Sequence, residues 1–485
     1  MLRELYPHQT RAIEMLRHSL GTGHKRPLLQ APTGFGKTLV AAAIIDSAVR
    51  KGRRVIVTVP ALPLVEQTLE AFWNEGIHDI GVMQACHHLT DASRAVQVAS
   101  IQTLERRAIP PADLVIVDEA HRTFKFLKSW MGNPDWQGVP FVGLSATPWA
   151  KGLGRDFDDL VIVTTTAELI ASGYLSPFRV YAPSHPDLSG VRTVGGDYQT
   201  DQLSDAMNKP NLVADVVDTW CQRGEGRPTL CFAVDRAHAN SLQKRFEAAG
   251  VPAGYVDAYT EDADRRQIAR DFASGAIKVV CNVGVLTTGV DWDVRCIILA
   301  RPTKSEMLFV QIVGRGLRIA PGKADCLILD HSDTHSRLGF VTDIAHDRLD
   351  DGTPRPPAQP RDKEALPKEC PKCSFLRPPK VHVCPSCGFK PERQSKVAVD
   401  DGELVEFRPK ASKPKATMAE KQRWLSGLIW LARSKGYQEG WAANKYRERF
   451  GAWPKGLGKA GAPPGDDIVS WVKSRQIAFA KRRAA

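Results

Sequence analysis

Two kinds of apolar pattern alternate along the first two-thirds of the chain. In one, apolar residues follow each other without a polar break. In the other, they recur every three or four positions. Arg54–Pro60 (RVIVTVP), Ala112–His121 (ADLVIVDEAH) and Phe141–Pro148 (FVGLSATP) are of the first kind. Unbroken Val/Ile/Leu runs of that length suit strands covered on both faces, as in a parallel sheet. Thr38–Gly52 (TLVAAAIIDSAVRKG) is of the second kind and reads as a helix between strands. This βαβ alternation predicts a doubly wound α/β domain over residues 1–170. The alternation then recurs. Pro228–Val234, Ile277–Leu286, Arg295–Arg301 and Asp325–Asp330 read as buried strands, with amphipathic helices at His238–Gly250 and Asp262–Gly275. A second α/β domain is expected over 176–345.

Past residue 345 the alternation lapses. Residues 346–367 are Pro-rich and read as a stiff linker. Residues 368–392 hold four cysteines in two pairs, and 393–416 form a charged connector poor in apolar residues. Helical spacing returns over 417–485. Thr417–Glu420 fits a capping box, with Trp424, Leu428 and Leu431 on one stripe behind it.

Charge sharpens this division. The formal net charge of the 485 residues is +12, but from Gly352 onward there are 28 Lys+Arg against 13 Asp+Glu. The basic excess therefore belongs to the tail and marks it as a candidate polyanion contact. No apolar run approaches the length of about 18 residues that spans a membrane. The N-terminus lacks the apolar core of a secretory signal. A cytoplasmic location with no membrane partner is expected. Cys86, Cys221, Cys231, Cys281, Cys296 and Cys326 are scattered singly, and several lie in apolar surroundings that suit buried thiols.

The first candidate for chemistry is Ala31–Thr38 (APTGFGKT), between a predicted strand and a predicted helix. Backbone N–H groups at a helix N-terminus can cradle phosphates there. Gly34 and Gly36 permit close backbone approach, Lys37 reaches the β/γ oxygens and Thr38 ligates Mg²⁺. Ala31 stands where the generic pattern has glycine. Asp118-Glu119-Ala120-His121 ends another predicted strand. A carboxylate there can hold the same Mg²⁺ and its neighbour can serve as general base.

These and further segments fall in the order of a known family. Leu5–Gln9 (LYPHQ) resembles an adenine-reading Q motif, and APTGFGKT and DEAH resemble motifs I and II. Val59–Pro63 and Ala99–Thr103 resemble strand-contacting segments. Ser145-Ala146-Thr147 resembles motif III, Val283–Asp291 motif V, and Gln311–Arg318 (QIVGRGLR) motif VI. The chain resembles the superfamily 2 helicases of DEAH-box type from about Leu2 to Asp330. The run from Asn282 onward is similar to RadD-type DNA-repair helicases, to type III restriction subunits and to phage-encoded relatives. It departs from RadD in its single cysteine quartet and Trp-rich end.

The resemblance implies an α/β fold of two tandem RecA-like parallel-sheet domains, followed here by a four-cysteine zinc-ribbon module and a small helical region. It implies ATP and Mg²⁺ as cofactors. Tyr6, Gln9, Thr33, Gly34, Gly36, Lys37, Thr38, Asp118, Gly289 and Asp291 would bind the nucleotide, with Gln9 a bidentate partner of adenine. Thr38 and Asp118 would hold the Mg²⁺. Lys37, Asp118, Glu119, Gln311, Arg315 and Arg318 would be catalytic, and His121, Ser145 and Thr147 would couple across the cleft. If Arg315 and Arg318 share a helix, their i, i+3 spacing puts both on one face. An arginine finger of this kind contributes on the order of 10³–10⁵ in rate. It would act only when the second domain closes on the first. The expected activity is a nucleic-acid-stimulated ATPase and helicase. DNA, single-stranded, forked or branched, is the expected partner, in repair, recombination or replication, with RNA as the alternative. A motor subunit of a restriction or defence complex is a second reading, and a zinc scaffold with an ATP switch a third.

In the tail, Cys370, Cys373, Cys384 and Cys387 form two CxxC knuckles. Four thiolates so spaced suit a closed tetrahedral Zn²⁺ site; a redox dithiol and an iron–sulfur cluster are the rivals. Lys372, Arg377, Lys380 and His382 beside the knuckles suit phosphate contact. Trp424, Trp430, Trp441, Trp453 and Trp471 are interleaved with Lys445, Arg447 and Arg449. That pattern fits base stacking, core filling of a small helical domain, or docking of a protein partner.

Overall fold

The computed structural model describes residues 3–84, 87–287, 291–353, 366–390, 416–438 and 440–483. Cys86, Gly289 and most of the two linkers lie outside these residues. The chain forms two compact units, Met1–Arg393 and Gln394–Ala485.

The first unit contains two parallel sheets. In the first sheet are β1 (Pro27–Gln30), β2 (Val55–Val59), β3 (Ile80–Met83), β4 (Val96–Ser100), β5 (Leu114–Asp118), β6 (Phe141–Ser145) and β7 (Asp159–Ile162). Their order is β3-β4-β2-β5-β6-β1-β7. The strands predicted from unbroken apolar runs, β2, β5 and β6, are central, and all but the last residue of β5 are buried. Helix α1 (Pro7–Gly21) precedes β1, and α2 (Lys37–Val49) follows it.

The second sheet holds β8 (Phe178–Tyr181) at its edge. A short hairpin comes next, β9 (Thr193–Val194) with β10 (Asp197–Tyr198), outside the sheet. The sheet continues with β11 (Thr229–Phe232), β12 (Ala253–Val256), β13 (Val279–Asn282), β14 (Cys296–Leu299) and β15 (Cys326–Asp330) in the order β12-β13-β11-β14-β15-β8. Helix α3 (Glu306–Gly316) lies between β14 and β15 in sequence. Each strand ends at the same edge of its sheet, where open α/β folds place their ligands.

After β15 the chain returns to the first sheet's domain. Gly154 N–H donates to the Asp350 carbonyl (2.7 Å), Gly152 N–H to Asp350 Oδ1 (2.9 Å) and Arg155 Nε to the Asp351 carbonyl (2.6 Å). The cysteine module adds β16 (Lys368–Glu369) and β17 (Leu376–Arg377), an antiparallel pair. It leans on the sheet edge: Tyr181 bridges to Phe375, and their rings lie 5.4 Å apart.

The second unit is three helices, α4 (Met418–Ser434), α5 (Gly440–Phe450) and α6 (Asp466–Arg483). Thr417 caps α4 by accepting from the Glu420 N–H (3.2 Å), one of the two bonds of the capping box that its sequence predicts. Trp424, Leu428 and Leu431 form its buried stripe.

Candidate functional site

The phosphate loop leaves β1 and enters α2 through two glycines in the left-handed region, Gly34 (φ +86°) and Gly36 (φ +87°). A Cβ on Gly36 would lie 2.4 Å from Gln9 Nε2, and one on Gly34 2.5 Å from Leu175 Cδ2. Both positions favour glycine for their conformation, and a side chain there would also displace the ends of Gln9 and Leu175. The loop turns its helix N-terminus toward a cleft of about 530 Å³ lined by residues of both sheet domains. Thr33 Oγ1 is buried in the loop without a hydrogen-bond partner among the described residues. A buried hydroxyl left so is costly unless a ligand satisfies it. The cradle, the helix end and this hydroxyl fit a nucleotide phosphate chain. Lys37 Nζ lies 2.5 Å from Glu119 Oε1 and 3.9 Å from Asp118 Oδ1, and Thr38 lines the same cleft.

Glu119 follows the last residue of β5 with φ +48°, a conformation that costs a non-glycine residue about 1–3 kcal/mol and concentrates at functional sites. Its backbone N–H donates to Asp118 Oδ1 (2.9 Å), which orients the Asp118 carboxylate. Burial raises the Asp118 carboxyl, helped by the adjacent Glu119 and opposed by Lys37. Burial also pushes Glu119 upward, but Lys37, His121 and Arg315 outweigh it and hold Glu119 below the usual carboxylate range. The pair is thus split, with Glu119 kept ionised as a base must be.

From Glu119 a chain of contacts crosses between the domains. His121 Nδ1 lies 2.9 Å from Ser145 Oγ, which accepts from the Thr147 N–H (3.1 Å). On the other side of the ring, Gln311 Nε2 lies 3.1 Å from His121 Nε2 and donates to Thr147 Oγ1 (3.1 Å). An amide N–H can only donate, so His121 Nε2 accepts and Nδ1 carries the hydrogen. Burial enforces the neutral ring by lowering the His121 pKa to about 4.

Helix α3 supplies Gln311, Gly314 and Arg315. A Cβ on Gly314 would lie 2.5 Å from Thr33 Cβ, so this glycine is where the second domain touches the phosphate loop. Arg315 is buried beside Glu119, and burial together with Arg318 lowers its pKa to about 10. Arg318 departs from expectation. Helix α3 ends at Gly316, and Arg318 lies beyond it, paired with Asp291. The physical reason is the cap. The Gly316 and Arg318 carbonyls both accept from Lys323 Nζ (2.6 Å each), and the Leu317 carbonyl accepts from the Ser176 N–H (2.7 Å). The last turn is therefore completed by a lysine from a following loop rather than by more helix.

The adenine end is organised around Gln9. Gln9 is almost fully buried. Its Oε1 accepts from the Tyr6 N–H and its Nε2 donates to the Phe35 carbonyl (2.9 Å each). The amide thus holds the phosphate loop to α1 and keeps one N–H and one lone pair, the two groups that a bidentate contact with adenine would use. The aromatic wall there is Tyr6, His8 and Tyr174, with ring centroids of Tyr6 and His8 at 4.9 and 4.6 Å from Tyr174. Sequence reasoning missed His8, Tyr174 and Leu175. His8 sits inside the motif but has no chemistry that marks it, and the others lie more than 160 positions away.

Comparison with known proteins agrees with this geometry. Residues 2–149 match the family described as type III restriction enzyme, res subunit, and residues 208–320 match the helicase conserved C-terminal domain. A 51.5 kDa protein of Lactococcus phage (isolate 7-9) is 30% identical over 369 residues, covering 74% of this chain and 77% of the phage protein. The ATP-dependent helicase IRC3 of Saccharomyces cerevisiae is 30% identical over 365 residues, covering 70% of this chain but 52% of IRC3. A solved fragment of an HsdR subunit of a type I restriction enzyme from Vibrio vulnificus superposes with TM-score 0.55 at 21% identity, covering 72% of this chain and 66% of that one. The chain belongs to the superfamily 2 helicases of the restriction-subunit kind. It is an ATP-dependent enzyme of that family. Among the described residues no helix is long and apolar enough to cross a membrane.

Beyond the helicase motor, the four predicted cysteines converge. All four sulfurs lie within 4.8 Å of one another, with Cys370–Cys387 and Cys373–Cys384 both at 3.7 Å. A tetrahedron with Zn–S bonds of about 2.3 Å has edges near 3.8 Å, so the set fits Zn²⁺. Lys372, Lys380 and His382 are exposed beside it. Arg377 is not available for phosphate: it is buried and donates to the His382 carbonyl (2.9 Å) within the knuckle loop.

The tryptophans of the C-terminal unit divide. Trp424, Trp441 and Trp471 pack in its core, with Trp424 edge-on to Trp471 at 5.7 Å. Trp430 and Trp453 remain 41% and 47% exposed.

Proposed function

We propose that this helicase converts ATP hydrolysis into movement along DNA, in repair, recombination or replication. The observation that carries the reading is the contact of α3 with the phosphate loop. Gly314 against Thr33 and Gln311 against His121 bring Arg315 of one domain beside Glu119 of the other. Glu119, held ionised, is the group to take the proton of the attacking water. Lys37 and the Gly34–Gly36 backbone bind the phosphates, and Arg315 stabilises charge that develops on the transferred phosphoryl group. Arg318 acts from outside the helix, its approach set by Asp291. Thr38 and Asp118 are the residues to hold Mg²⁺, which supplies charge neutralisation between the phosphates. His121 and Ser145 report the state of this site to Gln311 and Thr147, so strand engagement and hydrolysis share one set of hydrogen bonds. The cysteine quartet holds a structural Zn²⁺ that keeps its module on the edge of the second sheet. DNA is supported by the resemblance and by the basic tail.

The test is ATPase rate with single-stranded DNA, duplex, fork and RNA at several salt concentrations. The parent should be stimulated most by DNA. Lys37→Ala and Glu119→Gln should lose turnover while strand binding persists. ATPase activity indifferent to any nucleic acid would overturn the reading. A second reading, the motor subunit of a restriction or defence complex, is favoured by the match of residues 2–149 to a restriction subunit family. A stable nuclease or methyltransferase partner recovered with the full chain would favour that reading.

A further inference from the structure

The C-terminal unit has more basic charge and more exposed indole than its fold requires. From Thr417 to the end it carries 14 Lys+Arg against 5 Asp+Glu. Two of the five acids are already engaged: Asp467 pairs with Arg423 (2.7 Å), and Glu448 pairs with both Lys445 (2.6 Å) and Arg475 (3.5 Å). Arg433, Arg447, Lys455, Lys459 and Lys473 make no ion pair among the described residues. The core is filled without Trp430 and Trp453. Trp424, Leu425, Leu428, Tyr446, Ile468 and Val472 are buried in it, and Trp441 and Trp471 pack against it. Both indoles, 41% and 47% exposed, are therefore open to a ligand from solvent. Trp453 is also held in place: it precedes Pro454, and the Arg447 guanidinium sits 4.8 Å from its ring centroid.

We propose that this unit is a second nucleic-acid site, which binds a single strand by stacking unpaired bases on Trp453 and Trp430. Arg447 and the neighbouring lysines neutralise the flanking phosphates. Indole faces accept any base, so the site is indifferent to sequence. The balance of 14 basic to 5 acidic residues selects a polyanion, and the exposed ring faces select unstacked bases over duplex. The inference rests on the reading that the motor runs on nucleic acid. It adds a hold on the strand that does not depend on the ATP cleft, so the strand stays attached while the cleft resets.

The experiment uses the full chain without nucleotide, titrated into fluorescent oligo-dT and oligo-U, with blunt duplex as control. The parent should bind the single strands with quenching of tryptophan fluorescence. Trp453→Ala and Trp430→Ala should each weaken single-strand binding on the order of tenfold, and Trp453→Phe should restore most of it. Arg447→Ala should reduce the slope of log affinity against log salt by about 0.7. The two oligonucleotides separate DNA from RNA as the source of the strand. If the variants bind like the parent while DNA still stimulates the parent's ATPase, the inference falls alone, and the indoles serve another partner such as a protein. If the parent neither binds a strand nor is stimulated by one, this inference and the proposed function fall together.

Discussion

Gly314→Ala isolates the contact between the two domains. The added Cβ would lie 2.5 Å from Thr33 Cβ, 2.6 Å from its Oγ1 and 2.8 Å from its Cγ2. Ordinary contact begins at 3.4 Å, so α3 and the phosphate loop must part by about 1 Å. Overpacking of this kind costs about 1–3 kcal/mol. Within the helix alone, replacing glycine by alanine gains about 1 kcal/mol. The two effects act on different equilibria. The clash opposes apposition of the domains, whereas the propensity gain favours folding of the second domain. A bias of about 1–3 kcal/mol against the apposed state lowers its population roughly 5- to 150-fold. DNA-stimulated turnover should fall by that order while the thermal midpoint holds or rises. Gly316→Ala is the internal control. Its Cβ would lie 2.4 Å from Cys326 Sγ and 2.9 Å from Ile297 Cγ1, both within the second domain. It should therefore lower the thermal midpoint first. The assay pairs ATPase rate at saturating DNA with thermal unfolding and nucleotide binding for both variants. Full turnover in Gly314→Ala, or the same loss of stability in both variants, would refute the assignment of Gly314 to the interdomain contact.

Glu119→Gln should retain nucleotide binding and lose single-turnover hydrolysis, read by rapid quench, because it removes a carboxylate that the site holds below its ordinary pKa. Burial holds His121 neutral, with its pKa lowered from 6.5 to about 4. The unfolded chain takes up that proton first, so this residue's contribution to stability is full above 6.5, declines as pH falls through that interval and levels off below 4. Its coupling to Gln311 should be insensitive to pH from 8 down to about 5 and should fail as pH approaches 4, measured as stimulated over basal ATPase in parent and His121→Ala. Metal analysis should find one zinc per chain. Its removal by a chelator should expose the edge strand that Tyr181 shares with Phe375 and lower the thermal midpoint by roughly 2–10 °C.

What the sequence made legible follows from where each residue draws its conformation. Strands β2, β5 and β6 were readable because each is buried on both faces and needs no neighbour to declare it. Strand β8 was not. It is a four-residue edge whose Arg179 pairs with Asp325 (2.6 Å), and its identity depends on a strand almost 150 positions later. The phosphate loop and the carboxylate pair were readable because strand, turn and helix are consecutive. The same local logic misled at Arg318, where spacing alone extends the helix but Lys323 ends it. There a lysine just past the helical pattern takes the carbonyls that the pattern had assigned to further helix. The tail shows the opposite balance. Trp430 lies off the Trp424–Leu428–Leu431 stripe, so its exposure follows from helical period alone. Trp453 lies in a loop, and only the packed unit shows that the core closes without it. The phosphate loop and the carboxylate pair are therefore readable from consecutive residues, while the contact that brings the two domains together depends on the space that Gly314 leaves for Thr33. A substitution at Gly314 should thus damage coupling before it damages chemistry, whereas one at Lys323, whose partners all lie within the second domain, should cost stability first.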